Sequence, residues 1–188
     1  MPILPSESDI FPGNLLEEDY SPEIAHFGWW ALYTMARREK ELMRRLRGME
    51  IRHYGPVIAK RGKTPRGRVI TSHVLLFPGY VFLCGNELDR HRAMGTHCVS
   101  RCLPVGDPGQ LVYDLRQIRR LVLSGVPLTP ESKLQPGMRV RIRRGLLGGM
   151  EGTVVKRRGG DRLLVAVHFL QQGASVLLGD FEVERIDG

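Results

Sequence analysis

The 188 residues can fold as one medium domain or two small ones, and an apolar share of 42% is enough for real cores. No run of about eighteen apolar residues occurs, which excludes a helical membrane span, and the absence of a secretory pattern predicts a cytoplasmic protein. The net charge of +8 is uneven: residues 1–25 carry six acids and no Lys or Arg, whereas residues 26–125 carry eighteen basic against seven acidic residues. So basic a middle favours a polyanion or an acidic protein surface as partner. Cys84, Cys98 and Cys102 are an odd number in a reducing compartment, so no structural disulfide is expected.

Residues 1–27, proline-bearing and without a hydrophobic period, read as a disordered acidic tail. Trp29 to Tyr33 reads as a first strand, with Thr34 as N-cap of a helix starting at Met35. Its apolar face comprises Met35, Leu42, Met43, Leu46 and Met49, and Gly48 is a sensible stop. Ile51 to Tyr54 is a short strand. Val57 to Ser72 has apolar ends around Lys60-Arg61-Gly62-Lys63-Thr64-Pro65-Arg66-Gly67-Arg68, the pattern of a protruding hairpin with a basic tip. Tyr80 to Leu83 is apolar on both alternating faces, which predicts a strand covered on both sides, entered through a rigid Phe77-Pro78.

Asn86 to Met94 reads as a short helix and Val99 to Leu103 as a strand. Asp114, with Gln117 three residues on, reads as the capping box of a further helix whose apolar stripe is Leu115, Ile118 and Val122. The breaker-rich segment 124–134 is the expected linker. Beyond it, five short strands separated by glycine turns predict a small barrel at 135–188, with Leu163, Val165, Val167 and Phe169 as its clearest alternation. The fold class expected is therefore α+β: an antiparallel sheet with helices at 28–123, linked to a small five-stranded β-barrel.

Neither a catalytic group nor a cofactor is expected. The glycines between Gly145 and Gly152 lack a Gly-Lys-Ser/Thr ending and a following helix, so they read as tight turns rather than a phosphate loop. His91, His97, Cys98 and Cys102 lack the second well-spaced pair of a structural zinc site, so no metal is expected. Paired carboxylates, a nucleophile elbow and HExxH are all absent, which disfavours an enzyme, including a metal-dependent nuclease.

Trp29-Trp30-Ala31-Leu32-Tyr33, Arg38-Glu39-Lys40 and Leu76-Phe77-Pro78-Gly79-Tyr80-Val81-Phe82 together resemble the N-terminal domain of NusG-type transcription elongation factors. Gly137-Met138-Arg139-Val140-Arg141-Ile142, followed by Gly145, Gly148 and Glu151-Gly152-Thr153-Val154, resembles their C-terminal KOW domain. The resemblance covers roughly residues 28–187, and the turn at Gly145–Gly149 looks more like specialised paralogues, which act as antiterminators. It implies a monomeric, non-enzymatic factor that docks on the clamp helices of the largest RNA polymerase subunit, bridges the DNA cleft and promotes processive elongation.

By matched position Tyr33 and Phe77 would line the docking depression, with Trp29 and Leu76 nearby and Tyr80 and Phe82 as core. Arg37, Arg38, Lys60, Arg61, Lys63 and Arg92 are the candidates for contact with DNA or nascent RNA in the elongation complex. Phe169, Leu170 and Gln171 would be the KOW contact for a small-subunit ribosomal protein or Rho. The rival expectation is a ribosome-associated or RNA-binding KOW protein, which leaves Trp29–Tyr33 and Phe77–Phe82 without a role.

Overall fold

The computed structural model describes residues 7–17, 27–179 and 183–186. Packing divides the chain into two units, with the division between Gly106 and Asp107. The chain is mixed α/β, with antiparallel sheets and three α-helices among the described residues. None of these helices is long and apolar enough to cross a membrane.

The first unit contains strands β1 (Ile10–Phe11), β2 (Gly28–Thr34), helix α1 (Glu39–Gly48), β3 (Arg52–Tyr54), β4 (Val57–Lys63), β5 (Val69–Leu75), β6 (Tyr80–Gly85), α2 (Glu87–Met94) and β7 (Val99–Pro104). Five of the strands form one antiparallel sheet in the order β1-β3-β6-β2-β7. Strand β6 sits in the middle, and Val81, Phe82, Leu83 and Cys84 are all fully buried, as a strand apolar on both faces requires. On one side Val81 and Leu83 belong to a cluster with Trp30, Leu32, Leu42, Met43 and Leu46. Burial drives the Cys84 thiol up to about 12, which makes it an inert core residue. Strands β4 and β5 form a separate two-stranded hairpin.

Two expectations in this unit are corrected. Helix α1 begins at Glu39 rather than Met35, because Thr34 N–H donates to the Gly79 carbonyl (2.8 Å) and Met35 N–H to that of Cys98 (2.8 Å). Arg37 then takes a left-handed φ of 63°, incompatible with helix. The acidic tail is also not uniformly disordered; residues 1–6 and 18–26 lie outside the described residues, but 7–17 are ordered. Strand β1 adds to the open edge of β3, pairing Ile10 with Tyr54 and Phe11 with His53. Gly55 N–H donates to the Asp9 carbonyl (2.8 Å), Glu7 pairs with Arg44 (2.8 Å), and Ile10, Leu15 and Leu16 are buried.

The second unit contains α3 (Pro108–Leu123) and strands β8 (Thr129–Glu131), β9 (Met138–Ile142), β10 (Glu151–Arg157), β11 (Gly160–Val167), β12 (Gln172–Leu177) and β13 (Val183–Arg185). They form an antiparallel sheet in the order β13-β9-β10-β11-β12-β8. Among the described residues that is six strands rather than the expected five, and the two end strands do not pair with each other to close it. The extra strand comes from the segment expected to be linker. It is held by Arg157–Glu131 (3.1 Å), by Ser175 Oγ donating to Glu131 (2.7 Å) and by Arg162 donating to Thr129 Oγ1 (2.9 Å).

Helix α3 starts earlier than expected and packs on β11. Asp107 caps it by accepting from Gln110 N–H (2.9 Å), with Pro108 in the first turn. Asp114 is no cap: it is buried in mid-helix, accepting from Gln110 Nε2 (2.8 Å), His168 N–H (2.8 Å) and His168 Nδ1 (3.0 Å). The glycines of this sheet are spacing devices. A Cβ at Gly152 would lie 2.5 Å from the Leu164 carbonyl oxygen, and one at Gly173 would lie 2.4 Å from that of Val165.

Two outcomes follow from the ordered arm and its strand partner. Leu15→Ala is expected to cost about 2–5 kcal/mol in chemical denaturation, where a solvated tail would show no change. His53, buried beneath the Phe11 ring (centroids 6.1 Å), donates from Nδ1 to the Ile51 carbonyl (2.8 Å), and its Nε2 has no partner among the described residues. Desolvation lowers its pKa to about 4. The unfolded chain, with a pKa near 6.5, takes up a proton first, so stability is intact above about pH 6.5 and falls toward about pH 4. The native protein should therefore lose about 2–3 kcal/mol more than His53→Leu between pH 7 and 4.5, read from urea midpoints.

Candidate functional site

The end of the first unit's sheet where β2 finishes and β6 begins carries an exposed aromatic pair. Tyr33 and Tyr80 are direct cross-strand partners, with ring centroids 5.1 Å apart and planes tilted by 56°. Such pairs contribute about 0.5–1.5 kcal/mol beyond their buried area. Tyr33 nevertheless keeps 40% of its surface exposed. On the other side of β2, Tyr33 pairs with Arg101 of β7, and the register shifts immediately after it. Ser100 Oγ donates to the Tyr33 carbonyl (3.0 Å) at this irregularity. Tyr33, Tyr80, Arg101 and Leu103 together line an open cavity of about 280 Å³.

The turn before β6 holds this notch rigidly. Gly79 has φ of 84°, and a Cβ there would lie 2.9 Å from the Tyr33 ring. Its carbonyl accepts from Thr34 N–H, and its N–H donates to Glu39 Oε1 (3.0 Å) at the start of α1. Tyr80 N–H donates to the Phe77 carbonyl (3.1 Å). The Phe-Pro-Gly-Tyr sequence is thus a clamp: Phe77 points inward, Pro78 is exposed, Gly79 allows the Tyr33 ring to approach, and the Tyr80 ring lies tilted against it.

Of the four residues expected to line a docking depression, only Tyr33 is accessible. Trp29 is 4% exposed, Leu76 1% and Phe77 1%. Their side chains are core, because a large apolar side chain gains more from burial than from standing in water. Phe82 is core as expected, whereas Tyr80, expected to be core, is half-buried and part of the notch. Arg101 and Leu103 were not singled out by the sequence. Only the register that places β7 beside β2 brings them to the notch.

The basic candidates lie on separate elements. Arg37 and Arg38 sit between β2 and α1. Arg38 is paired with Glu41, which also receives Arg45, and these hydrogen bonds, that from Arg38 foremost, hold the Glu41 carboxyl below its ordinary range. Lys60, Arg61 and Lys63 are exposed along β4, and Arg92 is exposed on α2. In the second unit Phe169 and Leu170 are half-buried in a 3₁₀ turn, and Gln171 is exposed with a left-handed φ of 53°. Gln171 Nε2 donates to the His168 carbonyl (2.7 Å). A polar cavity of about 370 Å³ lies between α3 and this sheet, lined among others by Tyr113, Asp114, Gln117, Glu151 and His168. Arg141, and to a lesser extent Tyr113, bind the Glu151 carboxylate and hold it below its ordinary range.

A family model described as "Transcription termination factor nusG" matches residues 27–120, half of the chain. No curated protein matches. Among solved structures, the chain is similar to one described as "Domain interaction in Thermotoga maritima NusG". The identity is 19% over 87% of this chain and 99% of that one, with a TM-score of 0.45.

Gly79→Ala should be costly on two grounds, the left-handed backbone and the approach of the Tyr33 ring. We expect a loss of about 1–3 kcal/mol in denaturation, with a change in tyrosine fluorescence as the Tyr33–Tyr80 pair is forced apart.

Proposed function

Because the chain belongs to the NusG family of transcription factors, we propose that it binds RNA polymerase through the Tyr33–Tyr80 notch and acts as an elongation factor or antiterminator. The observation that carries this reading is the rigid, half-exposed aromatic pair beside Leu103 and Arg101. An aromatic-lined depression rimmed by a cation suits the tip of an α-helical hairpin, and tyrosine is among the side chains enriched where such contacts carry most of the binding energy. The partner surface that the family resemblance implies is the pair of clamp helices on the largest polymerase subunit. Docked there, the first unit would bridge the DNA cleft and favour processive elongation in the cytoplasm.

The basic residues Arg37, Arg38, Lys60, Arg61, Lys63 and Arg92 are assigned to nucleic acid in the elongation complex. The C-terminal sheet is read as the KOW domain, with Phe169, Leu170 and Gln171 offered to a small-subunit ribosomal protein or Rho. The domains proposed for the function are a polymerase-binding module at 28–123 and the KOW module at 135–188. Chemistry is not part of this reading: the chain acts as a non-enzymatic binding factor, without metal or cofactor.

Tyr33→Ala with Tyr80→Ala is expected to keep the fold and to reduce co-purification with RNA polymerase at least about tenfold, since two anchors of this kind each contribute about 1–2 kcal/mol or more. Polymerase binding that is unchanged in the folded double variant overturns the docking assignment. Co-migration with ribosomal subunits after polymerase depletion would instead favour a ribosome-associated protein. Phe77→Ala is the wrong probe, because removing a fully buried ring costs about 3–5 kcal/mol of stability and confounds binding with unfolding.

A further inference from the structure

Strands β4 and β5 form a ribbon that no third strand among the described residues extends, and from Ala59 to Ser72 nearly every residue is exposed on both faces. Between Ile51 and Asn86 the sequence contains no Asp or Glu. Lys60, Arg61, Lys63, Arg66 and Arg68 lie on the ribbon or its turn, and none of the five has an ion pair among the described residues. Elsewhere arginines are neutralised locally: Arg44 meets Glu7, Arg45 meets Glu41, Arg90 meets Glu87 and Arg141 meets Glu151. The ribbon is thus a place where positive charge is concentrated and left uncompensated.

The register sorts its side chains. Arg61 opposes Thr71 and Lys63 opposes Val69, which puts all four on one face. The other face is slimmer toward the turn, because Gly62 stands opposite Ile70 there, preceded by the pairs Lys60–Ser72 and Ile58–Val74. Val69 is 60% exposed and Ile70 46%, so β-branched groups stand in water among the cations. The turn is closed by Thr64 and Arg68, whose backbones are bonded (2.9 Å), and it leaves the Arg66 and Arg68 side chains at the tip.

We infer that the β4–β5 ribbon is a binding element for double-stranded DNA, inserted in the major groove with Arg61, Lys63, Val69 and Thr71 toward the base edges and Arg66 and Arg68 on phosphates. The inference rests on the reading that the basic surface meets nucleic acid, and it narrows that reading to one element and one ligand. Two strands about 4.8 Å apart, with side chains on both faces, fit a B-form major groove about 12 Å wide. The exposed part of the ribbon, about 3.3 Å per residue over four or five residues, is long enough to follow several base pairs. The major groove of A-form RNA is too deep and narrow for side chains to read, and single strands are recognised by aromatic platforms that the ribbon lacks. Exposed Val69 and Thr71 methyls match the thymine methyl group, the one apolar feature of that groove.

The full-length protein is titrated by fluorescence anisotropy against a labelled duplex DNA of roughly twenty base pairs, the matching single strand and the matching duplex RNA, from about 50 to 200 mM salt. We expect duplex DNA to bind most tightly. Arg61→Ala/Lys63→Ala/Arg66→Ala/Arg68→Ala should weaken it at least about tenfold and flatten the plot of log K against log salt by about two or more, at unchanged Tm. If that variant loses its fold, Arg66→Gln/Arg68→Gln, confined to exposed turn side chains, should flatten the plot by about one to two. Undiminished duplex binding in these variants, with loss in Arg37→Ala/Arg38→Ala/Arg92→Ala, overturns the ribbon assignment and leaves the general reading of a nucleic-acid-binding surface standing. Tighter binding to single-stranded DNA or duplex RNA overturns the choice of ligand. Absence of binding to all three overturns both.

Discussion

The double-sided burial of β6 is the constraint on which the first unit depends. A five- or six-residue strand that is hydrogen-bonded on both edges and covered on both faces must be entered and left through fixed turns. At its exit Asn86 caps α2, with Asp89 returning the hydrogen bond. At its entrance Phe77 is buried and Gly79 takes a conformation that side chains resist. The sheet's cover ends at Tyr80, and Tyr33 lies beside it across the strand pair. The exposed notch is therefore a consequence of where the core stops, and its rigidity comes from the same turn that starts the central strand.

Charge is arranged on a second principle. Among the described residues Glu7, Glu41, Glu87, Glu131, Glu151 and Glu184 are paired with arginines, Glu41 and Glu87 with partners on their own helices. Exposed pairs of this kind add little stability, about 0–1 kcal/mol each, but they cancel the field around them. The N-terminal arm extends this cancellation to α1 through Glu7 and Arg44 while it also covers the edge of β3. An edge strand left open is a template for unwanted pairing, and β1 blunts that hazard by making the sheet's edge only two residues long.

The second unit shows a polar solution to helix packing. Leu111, Leu115, Ile118 and Leu121 are buried on α3, yet the same helix buries Asp114, whose carboxylate accepts from a backbone N–H and an imidazole. A buried carboxylate is tolerated only with such partners, and their geometry fixes the helix at one position along β11. The family match extends to residue 120 and so includes most of α3, while packing groups that helix with the C-terminal strands. The unit read in sequence and the unit read in contacts therefore differ by one helix.

Local physics made much of the chain legible from its residues alone. The alternation at Tyr80–Leu83, the hairpin with its basic turn, the Asn86 helix, the glycine turns between β9 and β10 and the family itself all follow from patterns confined to a few neighbouring residues. What escaped depended on partners distant in sequence. Ile10 and Leu15 lie in an acidic segment whose composition looks unstructured until the edge of β3 is there to receive it. Asp114 has the spacing of a cap and becomes a buried acceptor only because His168 stands opposite. Phe77 and Tyr80 exchange their expected places, core for surface, because accessibility at a sheet's end is set by what covers it. The residue types, their charge and their periods were determined by the sequence; which aromatic reaches solvent was decided only by the tertiary structure, since burial belongs to a side chain's neighbours in space.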